Sequence, residues 1–283
     1  MATYLVTHRA LADSPERLKP WLQALADANI TLDGRLLLDR HDWAAAVVAD
    51  DRLLALGGDG TQSAVATICV AKQAQMGVLP AGTGNDFARA LGVPLGPSGA
   101  VDLLRSGQEQ RLDVGRINNR IYLNVAHVGL GAQVGAGTSQ AIKRRWGPLS
   151  YLRHLLTLLF RKRGFWGRIT YDGRVLYGRW LEIAIANGPS FGGGHQIDGA
   201  RLDSAALTLV CVRARPLPRL FLAWLLARLG RPLNRKVIRL ERVTDCRLDT
   251  HRRLLISADG EAVGYTPLHA WVEPASLRVI APV

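Results

Sequence analysis

The sequence is poor in cysteine. Cys69, Cys211 and Cys246 stand far apart and form no CxxC pair, which excludes a disulfide framework or a thiolate zinc site and fits inert thiols in a reducing cytoplasm. No apolar run approaches the roughly 18 residues needed to span a bilayer, so an integral membrane protein is not expected. Residues 1–9 lack a basic stretch followed by an apolar one and read as a strand, not as a secretory signal. Common nucleotide signatures are missing as well: there is neither a Walker A lysine loop nor a GxGxxG dinucleotide loop.

Acidic residues are missing from long stretches, with none in residues 114–171 and none in 204–240. The net charge of +13 is therefore uneven. Residues 1–113 hold 10 Lys/Arg against 13 Asp/Glu, and the remaining 170 hold 26 against 10. Such asymmetry implies two modules, the second facing a polyanion, either nucleic acid or an anionic membrane. The basic half carries no aromatic–glycine RNA signature and no recognition-helix motif, which disfavours nucleic acid. A hydrophobic share of 48% with 21% charged residues is that of a globular chain.

What is present in the first 92 residues is an alternation of short apolar runs and helical patterns. Strands are predicted over 4–7, 36–38, 52–56 and 77–79. Helices are predicted from Pro15 to about residue 29 with Ser14 as N-cap, over 43–49 behind Asp42, over 62–74 and over 85–91. This alternation predicts an α/β fold, a parallel sheet with helices on both faces. After about residue 108, strand-like runs dominate, at 121–125, 168–171, 181–186, 207–212, 237–240, 254–256 and 277–280. They predict a mainly antiparallel, β-sandwich-like C-terminal domain. The expected domains are 1–116 and 117–283, with the last strand returning to the first domain. Two helical stretches, 149–160 and 217–229, are apolar with basic flanks and suit either the headgroup boundary of a membrane or a core.

Two glycine-rich loops carry the chemistry. Gly57-Gly58-Asp59-Gly60-Thr61 follows a strand and opens a helix, so small residues let the backbone approach a polyphosphate that the helix N–H groups face. Asp59 beside phosphate needs an intervening cation, which makes it an Mg2+ partner directly or through water. In the second loop, residues 79–89, Gly82, Thr83 and Gly84 offer the same freedom and a hydroxyl. Asn85 or Asp86 either caps the following helix or faces nucleotide and metal.

GGDGT followed by LPAGTGNDFARALG resembles the catalytic domain shared by bacterial diacylglycerol kinases, sphingosine kinases and related lipid kinases. Further matching motifs are Leu112-Asp113-Val114-Gly115, residues 124–131, Asn187-Gly188 with Gly192-Gly193-Gly194, and Ala258-Asp259-Gly260-Glu261. The resemblance covers nearly the whole chain. It implies two domains with a nucleotide in the cleft between them, ATP held by Gly57, Gly58, Asp59, Gly60 and Thr61 together with Gly82, Thr83, Gly84 and Asn85, and Mg2+. It implies a carboxylate base from the late motif, Asp259 first and Glu261 second, and a water-linked carboxylate network of Asp59, Asp86 and Asp113 near the metal. The reaction implied is ATP-dependent phosphorylation of a diacylglycerol-like lipid hydroxyl by a cytoplasmic protein peripheral at an anionic membrane. Lys143, Arg144, Arg145, Arg161, Lys162 and Arg163 are the expected lipid-surface residues. Two other readings stand beside it, an NAD-kinase-like metabolite kinase and a catalytically degenerate nucleotide-binding regulator. The family pattern is broken in three places. Thr7-His8-Arg9-Ala10 replaces an Asn-Pro-x-x-Gly loop, Ser63-Ala64 replaces Asn-Glu, and Ser204-Ala205-Ala206 replaces an Asp-Gly-Leu metal motif, so no metal site is carried over there. The oligomeric state is left open, a homodimer included.

Overall fold

The computed structural model describes residues 1–132, 164–192, 195–216, 218–220 and 237–282. The chain divides into two compact units. The first comprises Met1–Val114, Gly188–Ala205 and Glu273–Val283, and the second Gly115–Asn187 and Ala206–Val272. Where the sequence suggests a boundary near 116 and a return of the last strand, the chain also re-enters the first unit through Gly188–Ala205.

In the first unit, β1 (Thr3–Thr7), β2 (Gly34–Leu37), β3 (Arg52–Gly57) and β4 (Gln75–Pro80) form a parallel sheet in the order β2-β1-β3-β4. The end of β17 (Leu268–Ala281) adds to β4, also in parallel, pairing Arg278 with Gln75 and Val279 with Met76. Leu53, Leu54, Ala55 and Leu56 on β3 are all 0% exposed. A run buried at both odd and even positions requires cover on both faces of the sheet. The helices provide it. From β1 the chain steps one way through α1 (Arg9–Ala12) and α2 (Pro15–Asp27) to β2, and from β3 it steps the other way through α3 (Asp59–Lys72) to β4. Right-handed crossovers in opposite directions place α2 and α3 on opposite faces. After β4 come α4 (Asp86–Ala90) and α5 (Pro97–Ser106), and α5 packs on β4 and against α2. The carboxyl ends of β1 and β3 therefore flank the point where strand order reverses, the place where open α/β sheets bind ligands. The returning segment 188–205 lays β10 (Ser190–Phe191) against α4.

The helix expected over 43–49 does not form. Trp43, Ala45 and Val47 make three-residue-apart backbone bonds to Arg40, Asp42 and Ala44 instead. The Asp51 carboxylate takes the amides of Val48 and Ala2, which ends the segment in a turn.

The second unit is antiparallel throughout. Its central strand, β9 (Arg174–Ala186), pairs along one edge with β8 (Phe165–Tyr171) and then with β7 (Val125–Gly129), and along the other with β12 (Leu207–Arg213). β12 carries β13 (Ile238–Val243), β8 carries β14 (Asp245–Thr250), and β14 carries the start of β17. β7 carries the hairpin β15 (Leu255–Ala258) and β16 (Glu261–Tyr265). Residues of these strands, among them Trp180, Ile183, Leu209, Leu248 and Ile256, close one apolar core together with Tyr122. The result is a β-sandwich-like unit. The single strand expected over 121–125 is interrupted at Leu123 and Asn124, whose amides donate to the Asp259 carboxylate rather than to a neighbouring strand. The helical stretches 149–160 and 217–229 lie outside the described residues, save 218–220, which are helical.

Candidate functional site

The two glycine loops meet at the carboxyl ends of β3 and β4. A Cβ on Gly82 would lie 2.3 Å from the Gly58 Cα and 3.0 Å from its nitrogen, so the loops touch backbone to backbone. Gly57 is fixed by a different neighbour, since a Cβ there would lie 2.3 Å from the Thr61 hydroxyl oxygen, buried beneath it. The Ala81 amide donates to the Gly57 carbonyl at 3.0 Å, extending the β3–β4 pairing into the loops. Asn85 takes a left-handed conformation at φ 52° and folds its side chain back on Gly82. Its Oδ1 accepts the Gly82 amide and its Nδ2 donates to the Gly82 carbonyl, both at 3.0 Å. Asn85 thus clamps its own loop and does not cap α4 with its side chain.

The cap comes from the other loop. Asp59 Oδ1 accepts the Phe87 amide at 3.1 Å, near the start of α4. A Cβ on Gly84 would sit 3.0 Å from Asp59 Oδ2 and 3.5 Å from Asp86 Oδ2, so the two carboxylates converge on the Gly84 backbone. Among the described residues no group of three or more His, Cys, Asp or Glu side chains forms a metal cage. Two convergent carboxylates beside a backbone cradle fit Mg2+, which takes one or two carboxylates and completes its shell with water and phosphate oxygens. Arginines border the same loop. Arg17 from α2 donates to the Ala81 carbonyl at 3.3 Å and Arg89 to the Gly84 carbonyl at 3.2 Å. A polyphosphate laid on this cradle would meet glycine backbone, two guanidinium groups and a carboxylate pair able to hold its counter-cation.

Asp113 occupies a different place in the first unit. Its Oδ2 accepts the Ala205 amide at 2.6 Å and its Oδ1 the Ala275 amide at 2.9 Å, while its own amide donates to the Leu202 carbonyl. It pins together the two returning segments, both through residues with left-handed backbone, Ala205 at φ 51° and Ala275 at φ 50°.

In the second unit the Ala258-Asp259-Gly260-Glu261 motif is the turn between β15 and β16. Asp259 has φ 48° and Gly260 φ 85°, a left-handed pair that Asp and Gly supply readily. Oδ2 of Asp259 accepts the Leu123 amide at 2.7 Å, and Oδ1 accepts the amides of Asn124 at 2.9 Å and Val125 at 3.2 Å. Glu261 is exposed, and its side chain has no hydrogen bond or ion pair among the described residues. The two carboxylates differ in chemistry. One accepts three backbone amides, and the other faces solvent. Burial pushes the nearby Tyr122 hydroxyl well above its usual pKa, and the Asp259 charge adds to the shift.

The structure therefore brings Gly57, Gly58, Asp59, Gly60, Thr61, Gly82, Thr83, Gly84, Asn85 and Asp86 together, places Asp113 at the returning segments and sets Asp259 and Glu261 in one hairpin. Arg17 was not legible from sequence, since nothing in α2 announces that it reaches the second loop. Arg89 lies inside the quoted motif, and its spacing of five from Gly84 on a helix start is the signal that locates it. Lys143, Arg144, Arg145, Arg161, Lys162 and Arg163 lie outside the described residues.

Comparison with known proteins agrees with this architecture. Residues 15–117 match the diacylglycerol kinase catalytic domain, and residues 124–281 match the YegS C-terminal NAD kinase beta sandwich-like domain. The chain is 33% identical over 277 residues to a "probable lipid kinase YegS-like" of Pseudomonas fluorescens, covering 94% of this chain and 91% of that one. It is 31% identical over 235 residues to a diacylglycerol kinase of Staphylococcus aureus, covering 82% and 75%. A crystal structure of a diacylglycerol kinase from Bacillus anthracis superposes with a TM-score of 0.72 at 20% identity, over 99% of this chain and 96% of that one. With both domains matched along the chain, it belongs to the diacylglycerol kinase-like family of lipid kinases.

Proposed function

We propose that the protein transfers the γ-phosphoryl group of ATP to the free hydroxyl of diacylglycerol or a similar membrane lipid, working peripherally at an anionic membrane on its cytoplasmic side. The observation that carries this reading is the backbone contact of Gly58 with Gly82, which joins two glycine loops into one cradle at the carboxyl ends of β3 and β4. In it, Gly58, Gly60 and Thr83 bind the triphosphate through main-chain and hydroxyl donors, Gly82 lets the two loops close on each other, and Arg17 and Arg89 offset its charge. When bound, Mg2+ held by Asp59 and Asp86 would neutralise the phosphate oxygens.

Phosphoryl transfer is mainly positioning plus charge neutralisation, with one residue orienting the nucleophile. The lipid hydroxyl oxygen forms the new bond to the γ-phosphorus, the bond to the β-phosphate bridging oxygen breaks, and ADP leaves. The hydroxyl proton passes to a carboxylate. Sequence favours Asp259 for that role, but its oxygens already accept three backbone amides. Glu261 is the base on this reading, and Asp259 sets the turn that presents it.

The test is transfer of labelled phosphate from ATP to diacylglycerol in mixed micelles. The wild type is expected to label the lipid, and Asp59→Ala and Glu261→Gln to lose that activity while staying folded. Full turnover in both variants would refute the assignment. Labelling of NAD but of no lipid would give the metabolite-kinase reading, and nucleotide binding without transfer the regulator.

A further inference from the structure

The second unit gathers its exposed aromatic side chains around one turn. Trp166, Tyr177 and Tyr265 are 47%, 55% and 54% exposed, and they are the large exposed aromatics among the described residues. Strand register explains why they meet. β8 sets Trp166 opposite Arg179 of β9, and Arg168 opposite Tyr177. The Trp166 and Tyr177 rings stack with centroids 5.5 Å apart. The chain after β14 turns through His251, Arg252 and Arg253, all exposed. The His251 amide donates to the Trp166 carbonyl, and its Nε2 meets the Tyr177 hydroxyl at 3.0 Å. On the other flank of the turn, the Arg253 guanidinium lies over the Tyr265 ring at 5.5 Å. The two flanks are joined by the bond between the Thr250 and Thr266 hydroxyls.

An arginine-tipped turn with aromatic rings on both sides is thus built into the sandwich. Neither Arg252 nor Arg253 forms an ion pair among the described residues, and nor do Arg168 and Arg179, although Asp249 stands across the ladder from Arg168. Amphipathic rings and snorkelling guanidinium groups are the chemistry of the bilayer headgroup layer, where one end of a side chain is dry and the other wet. Cations at that depth gain from anionic lipid. The turn is also close to the proposed base. β16 runs from Glu261 to Tyr265, and four strand steps span about 13 Å. Seating Tyr265 at a surface keeps Glu261 within that distance of it.

We propose that Trp166, Tyr177, Arg252, Arg253 and Tyr265 form the edge by which the protein docks on an anionic bilayer, rings at headgroup depth and guanidinium groups on lipid phosphates. This rests on the lipid-kinase reading for the identity of the surface, and the experiment separates the two. Sedimentation with phosphatidylcholine vesicles, with and without phosphatidylglycerol, measures docking. Turnover of a short-chain, water-dispersed diacylglycerol measures catalysis away from any bilayer.

The pair W166S/Y265S and, as a second variant that touches only the turn tip, R252E/R253E are expected to weaken binding to anionic vesicles about tenfold or more. Vesicle-borne substrate turnover should fall in step, with turnover of the dispersed substrate unchanged. Vesicle binding equal to wild type in both variants overturns the docking proposal while leaving the kinase reading intact. Weakened vesicle binding in a protein that phosphorylates no lipid supports the docking edge and removes the kinase reading. Wild-type preference for a single-stranded oligonucleotide over vesicles, lost in the same variants, assigns the turn to nucleic acid and overturns the proposal.

Discussion

The contact between Gly58 and Gly82 can be tested by a single methyl group. In Gly82→Ala the new Cβ would stand 2.3 Å from the Gly58 Cα, 2.8 Å from Asn85 Oδ1 and 3.0 Å from the Gly58 nitrogen. Carbon atoms rest at about 3.5–4.0 Å, so the loops must part by more than about 1 Å. The obstacle is backbone, which cannot rotate aside as a side chain would. Overpacking of this kind costs about 1–3 kcal/mol, and the upper end is expected here, read as a lower urea midpoint with an unchanged slope. The functional loss should exceed the loss of stability. Displacing a binding group by 1 Å costs roughly 100-fold in rate, or about 2.7 kcal/mol of transition-state stabilisation. The assay is kcat/KM for ATP under conditions where the variant is fully folded. Gly96→Ala is the control, because a Cβ there has nothing within 4 Å, and as a helix N-cap it should lose less than about 1 kcal/mol. If Gly82→Ala kept both the midpoint and kcat/KM of Gly96→Ala, the single cradle argued from these loops would be wrong.

The remaining predictions concern the carboxylates and the strained turns. Glu261→Gln should lower kcat by about 10²–10⁴-fold with no shift in thermal midpoint, whereas Asp259→Asn should lower both, since three backbone amides lose a charged acceptor. Asp113→Ala should destabilise by about 1–3 kcal/mol in urea, because the amides of Ala205 and Ala275 are left without that acceptor. Ala205→Gly should stabilise by about 0.5–1 kcal/mol, since Ala205 holds a left-handed φ of 51° that glycine adopts freely. The Glu109 carboxyl is held below its ordinary value of 4.5, first by its hydrogen bonds from Arg278. Its folded-state value is depressed, so its contribution to stability is present above about pH 4.5 and is lost as acid protonates it; Glu109→Gln should therefore flatten the fall of the urea midpoint between pH 5 and pH 3. Burial pushes the thiols of Cys69 and Cys211 up to about 12, so native protein should resist iodoacetamide at pH 8 and unfolded protein should not.

Much of the first unit could be read from the chain because its signals are local. The apolar runs of β3 and β4, the glycines that follow them and the helices that begin there lie within one stretch of sequence, and the observed α3 and α4 start within three residues of expectation. The expected helix over 43–49 failed because its end is decided by Asp51 reaching back to Val48 and Ala2, a tie that periodicity does not encode. The same holds for β14 and β16, which sequence reading left out. Asp245–Thr250 is rich in polar residues and Glu261–Tyr265 is short and holds a glycine, and they are strands because neighbouring strands pair with them, as β8 and β17 do for β14 and β15 does for β16. Arg17 illustrates the limit most sharply, since a surface arginine on α2 becomes part of the candidate site only when α2 is laid against the loop after β4.

The departures from the family pattern gain a physical meaning from Asp113. At Ser204-Ala205-Ala206 the chain lacks the acidic side chain and the glycine of the family motif, yet Ala205 still adopts the left-handed turn that a glycine would take there. Nothing in alanine favours that conformation, so the surroundings must impose it, and the short bond from the Ala205 amide to Asp113 is the visible cause. The same carboxylate fixes Ala275 at the other re-entry of the chain. Asp113, expected in a water-linked network near the metal, is seen here as the anchor that returns two distant segments to the first unit. The carboxylates that converge are those of Asp59 and Asp86, on Gly84. A family motif can thus lose its ligand and keep its backbone, because the geometry is held from outside the motif.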